Sequence, residues 1–311
     1  MNSIIKEALK IRYVKLHYTI QLLEDCQMPM NKVSALRGGI GEMLLRSNCI
    51  SDRDCEKCSF ESECMVQRTM YSQYTIQPKG LSVGSKDSIG YVIECEDYKT
   101  DFYEGDEIKF NLILFGKTIV YFNQYMLALY ALGQNGIGKY MARFIIKSVT
   151  NIRGEQILYD NNIYMHNYQY QTLYDYVQYR LNSMSDISNN LEFKTPVTIK
   201  YQKEFIQDFN SSAIVSAVLR RIYMLDCFEG IDIDVMNDMD IEIPNIVSSE
   251  KKPIDVRRYS SRQDAKMTLK GIKGQVEFDN ISEELLWLLL AAEITHIGKN
   301  TSFGFGRIRV K

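Results

Sequence analysis

The spacing of apolar side chains predicts both strands and helices in the first half of the chain. Residues 12–22, RYVKLHYTIQL, are rich in β-branched and aromatic types, which favours a strand. Leu36, Ile40, Met43 and Leu44 recur at helical spacing and predict a helix over 34–46. Strands near 71–77, 89–95 and 107–115, a helix over 121–132 and a strand over 143–152 follow. Without one extra strand, the order is β-α-β-β-α-β, which is the ferredoxin-like (RRM-like) arrangement.

The second half of the chain repeats this order. Residues 191–201 favour a strand, and an apolar stripe predicts a helix over 205–225. Strands over 254–260 and 264–278, with KGIKG as a turn, precede a helix capped by Ser282 and a strand over 303–310. The pattern therefore predicts an α+β protein with two tandem ferredoxin-like domains. The polar stretch LNSMSDISNN places the domains at 1–185 and 186–311.

Composition and charge narrow the class of protein. The chain has 311 residues, of which 45% are hydrophobic and 24% charged, so a disordered or coiled-coil chain is excluded. The longest strictly apolar run, residues 285–292, is too short to span a bilayer, and the charged N-terminus does not resemble a signal peptide. We expect a cytoplasmic protein with no membrane partner. Residues 251–311 hold 12 Lys/Arg against 7 Asp/Glu in a chain of net charge −2, so an anionic partner is expected there.

A glycine-rich segment, THIGKNTSFGFGRIRV, separates the last predicted helix from the last strand. Gly298, Gly304 and Gly306 would let backbone N–H groups curl around an anion, to which Lys299 would add a positive charge. The spacing fits neither a P-loop nor a dinucleotide-binding loop. A tight turn with glycines at its edges explains the spacing equally well.

Basic side chains lie on the strands that precede this loop. The segment RRYSSRQDAKMTLKGIKG contains Arg257, Arg258, Arg262, Lys266, Lys270 and Lys273. Strand alternation puts Arg258, Ser260 and Arg262 on one face. A basic face beside a glycine loop suits a nucleic-acid backbone, and Arg307 after the last glycine joins this candidate RNA-binding set. A solvated, charge-rich hairpin is the alternative.

Four of the seven cysteines lie within residues 49–64, and in a reducing compartment such clustering favours a metal over disulfides. They are Cys49, Cys55, Cys58 and Cys64, spaced C-x5-C-x2-C-x5-C. Four thiolates with a central C-x2-C pair satisfy tetrahedral zinc. We expect a structural zinc site in a cysteine-rich insertion after the first predicted helix. An iron–sulfur cluster and free thiols are the alternatives.

Two segments of the chain resemble a known family. The stretch from Arg257 through RYSSRQ to HIGKNTSFGFG, and the stretch SALRGGIGEMLLRSNCISDRDCEKCSFESEC, are similar to CRISPR pre-crRNA-processing endoribonucleases of the RAMP (repeat-associated) superfamily. The resemblance implies metal-independent cleavage of repeat RNA, in which a ribose 2′-OH attacks the adjacent phosphate. The products would be a 2′,3′-cyclic phosphate and a 5′-OH. The implied partners are CRISPR repeat RNA, as pre-crRNA, and other CRISPR effector subunits.

This chemistry needs a general base, a general acid and a cation near the developing negative charge. Many similar sequences place a histidine on or near the first helix, whereas residues 30–46 contain none. The catalytic candidates are His296, which matches a histidine often found before the glycine loop, and His17 in the first strand; His166 is the weakest. Each histidine has a structural role as its alternative. Candidates for stabilising the phosphate are Lys299, Arg262 and Arg37, although Arg37 could instead cap a strand carbonyl.

Three functions fit these observations. The leading hypothesis is a CRISPR repeat-RNA endoribonuclease. The second is a RAMP subunit that holds crRNA in an effector complex with little or no cleavage. The third is a zinc-stapled scaffold whose basic hairpin binds a protein. Cleavage of labelled repeat RNA in EDTA separates the first two, and a lack of salt-sensitive RNA binding would favour the third.

Overall fold

The computed structural model describes residues 2–71, 73–81, 88–184, 188–260 and 265–311 as a mixed α+β fold. The helices are α1 (Ser3–Ala8), α2 (Val33–Asn48), α3 (Met65–Met70), α4 (Phe122–Asn135), α5 (Leu173–Ser183), α6 (Ser211–Glu229) and α7 (Glu283–Thr295). The strands are β1 (Arg12–Leu22), β2 (Cys26–Gln27), β3 (Tyr91–Glu94), β4 (Asp101–Phe102), β5 (Glu107–Phe115), β6 (Phe144–Asn151), β7 (Gln156–Tyr159), β8 (Asn162–Ile163), β9 (Gln171–Thr172), β10 (Asn190–Val197), β11 (Lys200–Tyr201), β12 (Glu204–Phe205), β13 (Ile246–Ser260), β14 (Ala265–Phe278) and β15 (Ile308–Val310). Within the described ranges, no helix has the length and apolar character needed to cross a membrane.

The chain forms two compact units, each with its own sheet. The N unit comprises Val14–Gln73 and Gly84–Tyr170, and the C unit comprises Met1–Tyr13, Tyr74–Val83 and Gln171–Lys311. The predicted boundary between residues 185 and 186 falls in 185–187, outside the described residues. The domain limits 1–185 and 186–311 therefore stay a prediction.

The N unit is built on a sheet with the strand order β3-β5-β1-β6-β7-β8. Along β1, apolar and polar side chains alternate, so one face of the strand enters the core and the other does not. Val14, Leu16, Tyr18 and Ile20 share a core with side chains of α2 and α4. The chain order β1-α2-β3-β5-α4-β6 with this sheet order is the ferredoxin-like arrangement.

The C unit repeats the arrangement with a four-stranded antiparallel sheet in the order β13-β14-β10-β15. Its chain order is β10-α6-β13-β14-α7-β15. Helix α7 is buried on all sides along Leu285–Thr295, as its continuous apolar sequence requires. The prediction of two ferredoxin-like folds is confirmed.

Buried Glu293 of α7 joins three parts of the C unit. Its carboxylate accepts hydrogen bonds from the Tyr176 hydroxyl at 2.6 Å and from Arg180 Nε at 2.9 Å, both on α5. Arg309 Nη1 and the Val310 amide, both of β15, donate to it at 2.9 Å. A buried carboxylate is tolerated when its oxygens are satisfied in this way, so the network fixes α5 and β15 against α7.

Several predicted element limits are wrong. Residues 71 and 73–77 form no strand, and the Thr75 and Ile76 amides instead donate to the Cys227 carbonyl. The second-half helix begins at Ser211 rather than near 205, because the Asn210 side chain caps it by accepting from the Ala213 amide. The last strand shortens to Ile308–Val310, since a 3-10 turn occupies Thr301–Phe303.

The KGIKG segment, predicted as a turn, lies inside β14. Its glycines serve close approach between strands rather than a reversal of the chain. A Cβ atom on Gly271 would lie 2.8 Å from the Val197 carbonyl oxygen, and one on Gly274 would lie 1.8 Å from the Glu250 carbonyl oxygen. The positions of glycine in the sequence do not by themselves distinguish a turn from a close approach between strands.

Candidate functional site

The glycine loop joins the end of α7 to β15 in the C unit. His296 ends the helix with φ of 57°, and its fully buried imidazole lies 2.9 Å from the Phe305 carbonyl oxygen through Nδ1. Because a carbonyl only accepts, Nδ1 carries the proton of this bond. The side chain therefore ties the helix end to the far side of the loop. The catalytic role that the sequence suggests for His296 stays a prediction. In the structure, its buried imidazole bonds a backbone carbonyl and so helps to hold the loop.

The three glycines of the loop adopt a left-handed backbone conformation that favours glycine. Their φ angles are 77° for Gly298, 78° for Gly304 and 73° for Gly306. A Cβ atom on Gly306 would lie 1.9 Å from the Ile297 carbonyl oxygen. The Gly304 amide donates to the Thr301 carbonyl and the Gly306 amide to the Pro196 carbonyl. These two amides thus bond within the C unit and hold the loop in place, and the RNA-binding role of the three glycines stays a prediction.

Basic side chains of the hairpin β13–β14 lie beside this loop. The Arg258 guanidinium lies over the Phe303 ring, 4.6 Å from its centroid, which fixes the hairpin against the loop. The exposed residue Lys299 donates its backbone N–H to the Thr198 carbonyl at 2.8 Å, and the Thr198 hydroxyl donates to the Lys270 carbonyl. The structure thus brings Arg258, Lys270 and Lys299 to one region of the C unit.

Two more lysines meet on the same hairpin. Lys273 on β14 is directly opposite Lys252 on β13. Like charges in opposite positions destabilise a strand pair, and a phosphate between them would remove that repulsion. Of the remaining predicted contacts, Arg307 donates its backbone N–H to the Thr195 hydroxyl, and Arg262 lies outside the described residues.

His17 lies in the N unit, on the face of β1 that does not enter the core. Its Nδ1 is 2.7 Å from Oδ1 of Asn111 on β5. The Asn111 amide nitrogen donates to Oε2 of Glu94 on β3 at 2.7 Å, and Lys15 Nζ lies 2.8 Å from the same oxygen. We name these four side chains the His17 row.

Sequence reasoning found only one member of the His17 row. The signal for the others was present, because Lys15 and His17 alternate with apolar residues on β1. Glu94 and Asn111 are likewise polar residues within the apolar strands YVIE and EIKFNLILF. Which polar positions face each other depends on strand order, and residue spacing alone does not determine strand order.

Two other candidate site residues of the N unit, Arg37 and His166, contact residues of the same unit. Arg37 on α2 donates through Nη2 to the Ser88 hydroxyl at 3.1 Å, and that hydroxyl donates to the Met70 carbonyl. The guanidinium thus bonds a hydroxyl, and both roles considered for Arg37 stay predictions. His166 is exposed in a short 3-10 turn, where its ring contacts Tyr164 edge-on.

The four clustered cysteines line one cavity of about 310 Å³ between the end of α2 and the start of α3. All four are half-buried, and the Arg53 amide donates to Cys49 Sγ at 3.3 Å. Arg53 also donates to Glu42 on α2, which lowers the pKa of that carboxyl. Across the described ranges, no three or more His, Cys, Asp or Glu side chains are grouped closely enough to hold a metal ion. The zinc site stays a prediction.

Two family models match most of the chain. Residues 10–173 match the model AF_1859_N, described as an N-terminal domain, and residues 191–308 match the CRISPR-associated endoribonuclease Cas6. The second match contains the glycine loop, the basic hairpin and α7. No curated protein matches the sequence.

Solved structures show the same fold at low identity. A partial Cas6-RT-Cas1–Cas2 complex has a TM-score of 0.57 and 11% identity, over 97% of this chain and 46% of that chain. The Cas6-RT-Cas1–Cas2 complex has the same TM-score and identity, over 97% of this chain and 29% of that one. A Cas6 product complex of Thermus thermophilus has a TM-score of 0.51 and 11% identity, over 96% of this chain and 99% of that one.

The chain thus spans less than half the length of the first two structures. Its own two ferredoxin-like units have the architecture of the third along nearly all of its length. With residues 191–308 matching the Cas6 endoribonuclease model, the chain is a RAMP-type protein of CRISPR pre-crRNA processing that carries a Cas6 domain in its C-terminal part.

Proposed function

We propose that the protein binds CRISPR repeat RNA and cleaves pre-crRNA as a metal-independent endoribonuclease. The observation that carries this proposal is the match of residues 191–308, which hold the glycine loop and the basic hairpin, to the Cas6 endoribonuclease family. The similar structures include a Cas6 product complex and assemblies of Cas6 with Cas1–Cas2. These complexes support RNA and other CRISPR proteins as the two classes of partner.

RNA binding is assigned to the C unit. Arg258, Lys270 and Lys299 supply positive charge near one loop, and Lys273 adds positive charge on the same hairpin. Phosphate contacts made by such side chains carry most of the affinity for a nucleic-acid backbone. The loop glycines Gly298, Gly304 and Gly306 act here by shaping the turn that presents Lys299.

The cleavage step requires no cofactor in this proposal. A base removes the proton of the ribose 2′-OH, the 2′ oxygen forms a bond to phosphorus, and the bond from phosphorus to the 5′ oxygen breaks. The leaving oxygen takes up a proton and becomes the 5′-OH, which leaves a 2′,3′-cyclic phosphate. His17 of the N unit is the proposed base. Lys299 of the C unit is proposed to contact RNA phosphate.

We also propose that the cysteine-rich insertion holds a structural zinc ion. The support is chemical: four thiols line one cavity, and a backbone amide donates to Cys49 Sγ. Bound zinc would stabilise the connection between α2 and α3 and would take no part in cleavage.

The test is single-turnover cleavage of end-labelled repeat RNA in excess EDTA, with analysis of the product ends. We expect a 2′,3′-cyclic phosphate and a 5′-OH, and a decrease of roughly 10²–10⁴-fold in rate for His17→Ala. His166→Ala, which changes an exposed histidine, is the matched control and should cleave at the wild-type rate. RNA that is bound tightly but never cut would contradict the nuclease proposal and favour the crRNA-holding subunit. An absence of salt-sensitive RNA binding would favour the protein-binding scaffold.

The variant His296→Ala distinguishes a structural role of the buried histidine from a role in proton transfer. Because its imidazole bonds the Phe305 carbonyl, we expect lower thermal stability together with weaker RNA binding. Slower cleavage at unchanged affinity and stability would instead give His296 a role in proton transfer.

A further inference from the structure

The His17 row crosses three strands of the N-unit sheet without interruption. Glu94 and Asn111 are directly opposite each other on β3 and β5, and Asn111 reaches His17 on β1. Glu94 is 3% exposed, and the Lys15 side chain is 10% exposed. Polar groups this deeply placed are kept when their hydrogen bonds are satisfied, so the direction of each bond in the row can be worked out.

The donor and the acceptor of each hydrogen bond follow in order from Lys15 to His17. The Lys15 ammonium only donates, and it pairs with the Glu94 carboxylate, which only accepts. The Asn111 group that bonds Glu94 must therefore be its NH2, which turns its carbonyl oxygen toward His17. An amide oxygen only accepts, so Nδ1 of His17 must be the nitrogen that carries the proton.

We propose that Asn111 and Glu94 are positioning residues that hold neutral His17 in the Nδ1-protonated tautomer, with the lone pair on Nε2. This inference rests on the proposed function, because it assigns His17 Nε2 as the atom that accepts the 2′-OH proton. Lys15 completes the arrangement by keeping Glu94 paired and ionised, since an unpaired buried carboxylate is costly. The row fixes both the ring orientation and the basic nitrogen before RNA binds.

The proton transfer balances within this assignment. Nε2 accepts the 2′-OH proton and His17 becomes an imidazolium, whose charge faces a row that already contains the Glu94 carboxylate. The new bond between the 2′ oxygen and phosphorus displaces the 5′ oxygen, which takes a proton from solvent. Deprotonation of Nε2 by water then restores the starting tautomer.

The first test uses the RNA-free protein. In protein labelled with ¹⁵N-histidine, the chemical shifts of the ring nitrogens report directly which nitrogen carries the proton, and His17→Ala assigns the His17 signals among the three histidines. We expect a proton on Nδ1 and none on Nε2 at a pH where the ring is neutral. Glu94→Gln and Asn111→Leu should change this pattern. Glu107→Gln, which changes a surface carboxylate at the start of the same strand β5, should not.

The second test measures single-turnover cleavage and RNA affinity for the same variants. Asn111→Leu and Glu94→Gln should slow cleavage by at least about tenfold with little change in RNA affinity, because the wrong tautomer cannot accept the proton. Added imidazole should restore part of the rate to His17→Ala and none to a misfolded variant.

The outcomes separate this inference from the proposed function. A proton on Nε2 of neutral His17 in the wild-type protein would overturn the tautomer assignment whatever the activity. Wild-type cleavage rates in both His17→Ala and Asn111→Leu would overturn the catalytic assignment while leaving the nuclease proposal intact. Failure of the wild-type protein to cut repeat RNA would count against the nuclease and against the role of Nε2, and the tautomer would still be decided by the ¹⁵N shifts.

Discussion

Asp226, on α6 in the C unit, is a fully buried acid outside the candidate site. Neither of its carboxyl oxygens has a hydrogen-bond partner among the described residues. Burial raises its pKa well above the usual value, and the negative charge of nearby Glu229, which itself pairs with Arg12, raises it further. Asp226 is therefore neutral in the folded protein over a pH range in which it is ionised in the unfolded chain.

We predict that Asp226→Asn makes stability less dependent on pH. The unfolded carboxyl loses its proton near pH 3.9, whereas the folded one keeps it, so the wild type loses up to about 1.4 kcal/mol per pH unit between the two pKa values. The asparagine variant lacks this loss. Urea unfolding midpoints at several pH values from 4.5 to 8 should therefore show a gain for the variant that grows as pH rises. Parallel pH profiles for the two proteins would refute the raised pKa.

At the scale of single residues, the sequence indicates which residues are candidates for the site better than it indicates what each of them contacts or does. Residue type and location single out His17 and Lys299. Asn111, which bonds His17, is 94 positions further along the chain, and this pairing could not be predicted from residue spacing. The burial of His296 follows from the apolar helix that precedes it, which the sequence does contain. Its bond to the Phe305 carbonyl depends on the path of the loop and could not be read from spacing.

At the scale of elements, the apolar pattern predicted α2, α4 and the strands around them because each buries one consistent face. Helix α7 was predicted from its Ser282 cap and its continuous apolar run, and it is buried on all sides. The errors lie where a different interaction overrides the local pattern. The aromatic and β-branched residues near 71–77 fit a strand by composition, but the Thr75 and Ile76 amides donate to the Cys227 carbonyl near the end of α6 instead. The glycines of KGIKG fit a turn but permit close contact between strands.

The cysteine-rich loop between α2 and α3 gives a prediction at this scale. Since a structural zinc ion adds its binding free energy to folding, Cys55→Ser and Cys58→Ser should each lower the thermal midpoint and release about one metal ion per chain. Cys95→Ser is the matched control, because Cys95 is half-buried and lies outside the loop. Elemental analysis of protein purified without chelators measures the metal. If elemental analysis finds neither zinc nor iron in the wild-type protein, the metal site is rejected.

At the scale of the whole molecule, positive charge is concentrated in the C-terminal part of the chain. The C-terminal 61 residues have five more basic than acidic side chains, whereas the chain as a whole has a net charge of −2. The sequence therefore indicates a basic region in a chain that is slightly acidic overall. It could not show that Lys252 and Lys273 face each other, because that pairing requires the strand register.

This lysine pair provides the last prediction. If the pair binds RNA phosphates, Lys252→Gln/Lys273→Gln should weaken RNA binding and reduce the slope of log affinity against log salt by about 0.7 to 0.9 for each phosphate that is no longer neutralised. The same double variant should melt slightly higher without RNA, because the cross-strand repulsion is removed. Lys57→Gln/Lys109→Gln removes two exposed charges from the N unit and should leave the salt slope unchanged. Equal slopes for wild type and the Lys252/Lys273 variant would place the RNA-binding surface elsewhere, and a lower melting midpoint would show that the two lysines stabilise the hairpin itself.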